Sequence, residues 1–99
     1  MPGTDIVVYY VNRFATPGLL GCGGHLPGRP ACILGSSAAR YSTAHELGHV
    51  MLGSSFTGPV HDPAISNLMY AYENRTGDPP SLNAAQITQI KRSRCCLAL

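Results

Sequence analysis

Glycine and proline punctuate this chain so densely, eleven and eight times in 99 residues, that few segments are left in which regular structure can run. Residues 6–11, IVVYYV, are apolar, β-branched and aromatic over a strand's length and predict a buried strand. Residues 16–30 are rich in both breakers and predict a loop; ACILG at 31–35 then predicts a second strand. Ser36 or Ser37 can cap a helix running to about Leu52, with Gly53 able to take the left-handed conformation that ends it. Residues 54–72, with Gly58, Pro59 and Pro63, predict an irregular segment, and residues 76–80 a turn-rich connector. Asn83 followed by Gln86 matches a capping box, opening a last helix to about Arg94 that buries Ile87 and Ile90. The class expected is a single α+β domain over residues 1–99, without repeats or an internal linker.

Composition narrows the partners. A formal net charge of +2 is too small to argue for nucleic acid, and the one basic cluster, Lys91, Arg92 and Arg94, complements a helix C-terminus. No apolar run approaches the roughly 20 residues of a membrane span. Four cysteines, Cys22, Cys32, Cys95 and Cys96, are an even number in a short chain. That count fits disulfides and an oxidising compartment, and predicts a secreted or otherwise extracytoplasmic protein, although the first five residues carry no signal-peptide pattern. Neighbouring Cys95 and Cys96 resist bonding each other. The pairings left open are Cys22 with Cys32, or the C-terminal pair with both loop cysteines.

The chemistry concentrates in His45-Glu46-Leu47-Gly48-His49, an H-E-x-x-H motif on the expected helix. Residues four apart on a helix lie one above the other, so both imidazoles can reach one ion. Glu46, one residue round the helix, can stand beside that ion without ligating it. Zinc with three protein ligands and an open position lowers the pKa of its bound water to about 7, and a nearby carboxylate can take the proton. The helix cannot supply a third ligand beyond Gly53. His61 is the first candidate, with Asp62, His25 and Glu73 as alternatives.

Beyond His61 comes Asn67-Leu68-Met69-Tyr70. With these residues in view the chain resembles the metzincin clan of zinc peptidases. Such enzymes carry H-E-x-x-H on an active-site helix, a glycine that turns the chain, a third His, and a tight turn placing Met beneath the metal. The resemblance implies a small metzincin-like domain with a short sheet, the active-site helix, an irregular Met-turn segment and a C-terminal helix. It implies Zn2+ held by His45, His49 and His61, Glu46 as general base, and Met69 as the apolar floor. It also implies that Cys32, Ile33, Leu34 and Gly35 form an edge strand to which extended peptide pairs, with residues 21–24 as a loop beside the cleft. The spacing departs from the clan's: Gly53 stands four residues after His49 and His61 twelve after, which an inserted loop at 54–60 accounts for. Tyr70 and Tyr72 do not fall where the clan's tyrosine does, and packing is the role expected of them.

The function expected is hydrolysis of peptide or protein substrates. Three rivals remain beside it: a minimal peptidase of the other H-E-x-x-H clan with Glu73 as third ligand, a non-catalytic zinc-binding structural or interaction module, and a metal-free peptide binder. A general base has no use in a structural site, and Glu46 favours hydrolysis for that reason.

Overall fold

The computed structural model describes residues 5–12, 15, 21–26, 29–36, 40–72, 79–93 and 95, the side chains of 23–26 and 29 excepted. Three strands, β1 (Val7–Tyr10), β2 (Gly21–Leu26) and β3 (Arg29–Leu34), precede two helices, α1 (Ser42–Leu52) and α2 (Ala84–Lys91). The fold is a small α+β arrangement, as expected. Among the described residues no helix is long and apolar enough to cross a membrane.

The sheet has the order β1-β3-β2, with β3 parallel to β1 and antiparallel to β2. This corrects two expectations. Residues 21–26 form a strand where a loop was predicted: glycine weakens a strand, but pairing along the whole length of β3, from Gly21 opposite Leu34 to Leu26 opposite Arg29, offsets that weakness. Cys32, Ile33 and Leu34 are then not an edge. Their strand is hydrogen-bonded on both sides, so Cys32, Ile33 and Leu34 have no free backbone edge to offer a peptide, and Gly35 lies just past the strand's end.

β1 is also placed differently from expectation. Its apolar content suggested burial, yet it forms the sheet's outer parallel edge, with Val7, Tyr9 and Tyr10 exposed. Cys32 and Leu34 of β3 face Val50 and Leu52 of α1, and with Met69 they form the buried core.

In an antiparallel pair, residues directly opposite share a face and the next pair takes the other. Cys22 stands opposite Ile33 and Gly23 opposite Cys32, which puts the two cysteines on different faces. Cys22 is exposed, Cys32 is buried beneath α1, and each is a free thiol, so neither pairing open to the sequence forms. Cys96 lies outside the described residues.

α1 begins at Ser42, later than a cap at Ser36 would start it. Ser36 is used elsewhere: its N–H and hydroxyl both donate to the Asn12 carbonyl, tying the end of β3 to the end of β1. The helix stops where expected, at Gly53, whose φ of 67° is the left-handed region and whose N–H returns to the His49 carbonyl. α2 has the full capping box: the Asn83 side chain accepts from the Gln86 N–H, and the Gln86 side chain accepts from the Asn83 N–H. The expected burial is met in part: Ile90 is half-buried, one turn on from Gln86. Ile87 is exposed and Gln86 is 1% exposed, because α2 turns its polar first turn towards the irregular segment carrying Met69.

Candidate metal centre

α1 packs on β2 and β3, with Val50 and Leu52 among its buried residues. His45 and His49 stand on it, one turn apart, with Glu46 between them and buried. The segment after Gly53 loops out and returns, bringing His61 against both. The His49 Nε2 lies 3.1 Å from the His45 Nε2 and 3.2 Å from the His61 Nε2, and the three potential ligand atoms all lie within 4.8 Å of one another. Nitrogens bound tetrahedrally to one ion at about 2.0–2.1 Å stand roughly 3.3 Å apart, which is close to the spacing found.

Protons alone do not explain this arrangement. The His45 Nδ1 donates to the Leu68 carbonyl over 2.7 Å, since a carbonyl can only accept. In the neutral ring this leaves the His45 Nε2 as a bare lone pair aimed at the other two imidazoles. His49 sits between two such neighbours, and one proton cannot serve both contacts well. A cation among the three nitrogens satisfies all of them, and the carbonyl contact to His45 is the orienting bond that metal-bound histidines usually have.

The electrostatics agree. Burial, with His45 and His61 beside it, lowers the His49 pKa to about 4. Partial burial and His45 lower that of His61 too. Both rings therefore keep their lone pairs at neutral pH. Burial pushes the Glu46 carboxyl above its usual range, with His45 pulling the other way. The Glu46 Oε1 is 3.8 Å from the His45 Nε2 and 3.9 Å from the His49 Nε2, too far to share a ligand position with them and close enough to bond a molecule lodged among them. Its Oε2 is buried and has no hydrogen-bond partner. A buried, unpartnered carboxylate oxygen is costly, and its position beside three convergent imidazoles marks a site built for something further.

Met69, expected as the floor, is wholly buried and packs against α1 at Gly48. A Cβ at Gly48 would lie 2.5 Å from the Met69 sulfur, so the thioether occupies space that only glycine leaves on α1. Above Glu46 runs β2, where a Cβ at Gly21 would lie 2.9 Å from the Glu46 Cγ. The turn carrying Met69 is pinned on several sides: the Leu68 N–H donates to the Ser81 carbonyl, the Met69 N–H to the Asn67 Oδ1, and the Asp62 N–H to the Met69 carbonyl.

Asp62, an alternative third ligand, is occupied otherwise. One carboxylate oxygen accepts from the Ala64 N–H and the other from the Asn83 side-chain amide. The side chain of His25 and the whole of Glu73 lie outside the described residues. Tyr70 and Tyr72 pack edge to face on each other, 6.1 Å between ring centres. Sequence reasoning missed the role of Leu68, whose carbonyl fixes His45, and placed Gly21 in a loop beside the cleft without seeing that its missing side chain leaves room for Glu46. Neither carries a motif: one acts through its backbone and the other through having no side chain.

The chain matches no protein-family model, no curated protein and no solved structure.

Proposed function

We propose that the protein is a zinc-dependent peptidase of metzincin-like design, hydrolysing peptide bonds with Glu46 as general base and His45, His49 and His61 as metal ligands. One observation carries this reading: three imidazole nitrogens converge beside a buried carboxylate oxygen that has no partner. A purely structural site closes its metal with four protein ligands, whereas three ligands and a carboxylate held just out of reach suit a site that keeps a position open. Zinc bound there would acidify a water and polarise a carbonyl oxygen.

The chain's own residues supply the rest. The Leu68 carbonyl holds His45 in the tautomer that presents Nε2. Glu46 takes the proton of the attacking water at Oε1, the oxygen nearest the imidazoles, and burial helps it hold that proton until the departing amine nitrogen accepts it. Substrate pairing moves from β3 to β2. That strand lies at the sheet's edge with Gly21 over Glu46, so an extended peptide added along it passes the general base.

The test is metal content and peptide hydrolysis, measured on the wild type and on Glu46→Ala. One zinc in each, with cleavage by the wild type alone, is the expected result. Zinc in both with no cleavage of any peptide would favour a non-catalytic metal-binding module. No zinc in either after reconstitution would overturn the proposal.

A further inference from the structure

Gln86, at 1% exposure, is the most deeply buried polar side chain among the described residues, and it stands on α2, whereas two of the three histidines stand on α1. A buried amide is tolerated only when its hydrogen bonds are made, and three of the four directions of this one are used. The Gln86 Oε1 accepts from the Asn67 side-chain amide at 2.8 Å and from the Asn83 N–H at 2.8 Å, while the Gln86 Nε2 donates to the Asn67 Oδ1 at 3.0 Å. Two amide side chains thus face each other in a reciprocal pair.

What that pair holds is the turn under the site. The Asn67 Oδ1, fixed by Gln86, also accepts the Met69 N–H at 2.8 Å, and the Tyr70 N–H closes the turn on the Asn67 carbonyl at 3.1 Å. The turn so fixed presents the Leu68 carbonyl to the His45 Nδ1 and the Met69 carbonyl to the Asp62 N–H, the residue next to His61. One route of hydrogen bonds therefore runs from α2 to both ends of the histidine cluster. Asn83 adds a second tie, donating from its side chain to Asp62.

We infer that Gln86 is a positioning residue of the metal centre: through Asn67 it sets the Leu68 carbonyl that selects the His45 tautomer, and it holds the His61 segment in register. The inference rests on the metal-site reading above, and it reaches beyond helix capping. The capping box needs only the Gln86 oxygen for the Asn83 N–H. The bond from Nε2 to Asn67 is surplus to that need and serves the turn.

Two variants test it. Gln86→Met removes both functions at similar volume. Gln86→Glu keeps the shape and the acceptor for Asn83 and lacks the N–H that the Asn67 Oδ1 accepts, so it decides the matter if the first variant does not fold. Folding is followed by circular dichroism and urea denaturation, metal affinity by Zn2+ and Co2+ titration of the folded protein, and the His45 tautomer by nitrogen NMR of the metal-free protein. The expected result is folded protein with about 10- to 100-fold weaker metal binding, the usual cost of losing a residue that orients a ligand, and a His45 ring no longer fixed with its proton on Nδ1. Folded variants with wild-type affinity and an unchanged His45 tautomer would overturn the inference and assign Gln86 to helix stability alone. A wild type that takes up no metal would sink the peptidase proposal instead, and the tautomer measurement would then decide the role of Gln86.

Discussion

A methyl group at position 48 would stand 2.5 Å from the Met69 sulfur, so the thioether of this wholly buried side chain would have to shift. Two effects compete in Gly48→Ala. Alanine favours the helix by about 1 kcal/mol, while forcing an extra carbon into a packed core costs about 1–3 kcal/mol. The second is expected to win, so the variant should unfold at lower urea than wild type and bind zinc more weakly as the floor shifts. A more stable variant would mean that the thioether swings clear. His45, Glu46 and His49 were legible at this scale, because a helix converts their spacing into a shared face. His61 was legible as a candidate and Asp62 was not separable from it. The difference lies in the turn, where the Asp62 carboxylate is taken up by Ala64 and Asn83.

The helices support each other at their ends. The last carbonyls of α1 have no partner within the helix, and the Gln89 side chain of α2 donates to the Leu52 carbonyl and to the Ser55 hydroxyl, both at 3.1 Å. Gln89→Ala should therefore cost about 1 kcal/mol by urea denaturation. It should also loosen the segment that leads from Gly53 to His61, seen as faster amide exchange there. An unchanged exchange rate would show that Gly53 alone sets the path. The capping box of α2 and the glycine stop of α1 were legible because each is a local bond between near neighbours. β2 was not: its glycines read as a loop, and only pairing with β3 and the close passage over Glu46 make a strand of them. The exposure of β1 was hidden for a similar reason, since apolar content marks a strand and leaves open which strands flank it.

For the molecule as a whole, the depressed histidines tie stability to pH. His49 has an ordinary value of 6.5 when unfolded and about 4 when folded, so between those limits the unfolded chain binds more protons and metal-free stability rises with pH. The lowered His61 adds in the same direction. Glu46, raised by burial, acts oppositely, its stabilisation being lost as pH climbs through its folded value. With two histidines against one carboxyl, and the largest shift on His49, the urea midpoint of the metal-free protein should fall as pH drops from 6.5 towards 4. A flat profile would mean that the histidines are not gathered without metal. The two cysteines add a clock. Cys22 is open to solvent on one face of the sheet, while Cys32, 1% exposed, lies under α1 with its thiol pushed towards the protonated form by burial and by Glu46. An alkylating reagent should thus mark Cys22 at once and Cys32 only when α1 lifts away. Because two of the three histidines proposed to hold the metal ride on that helix, a bound metal ion should lengthen the wait. At a hundred times its dissociation constant the ion stabilises the closed form by about 2.7 kcal/mol, so labelling of Cys32 should slow roughly a hundredfold, and each alkylation there would count one departure of the helix from the sheet.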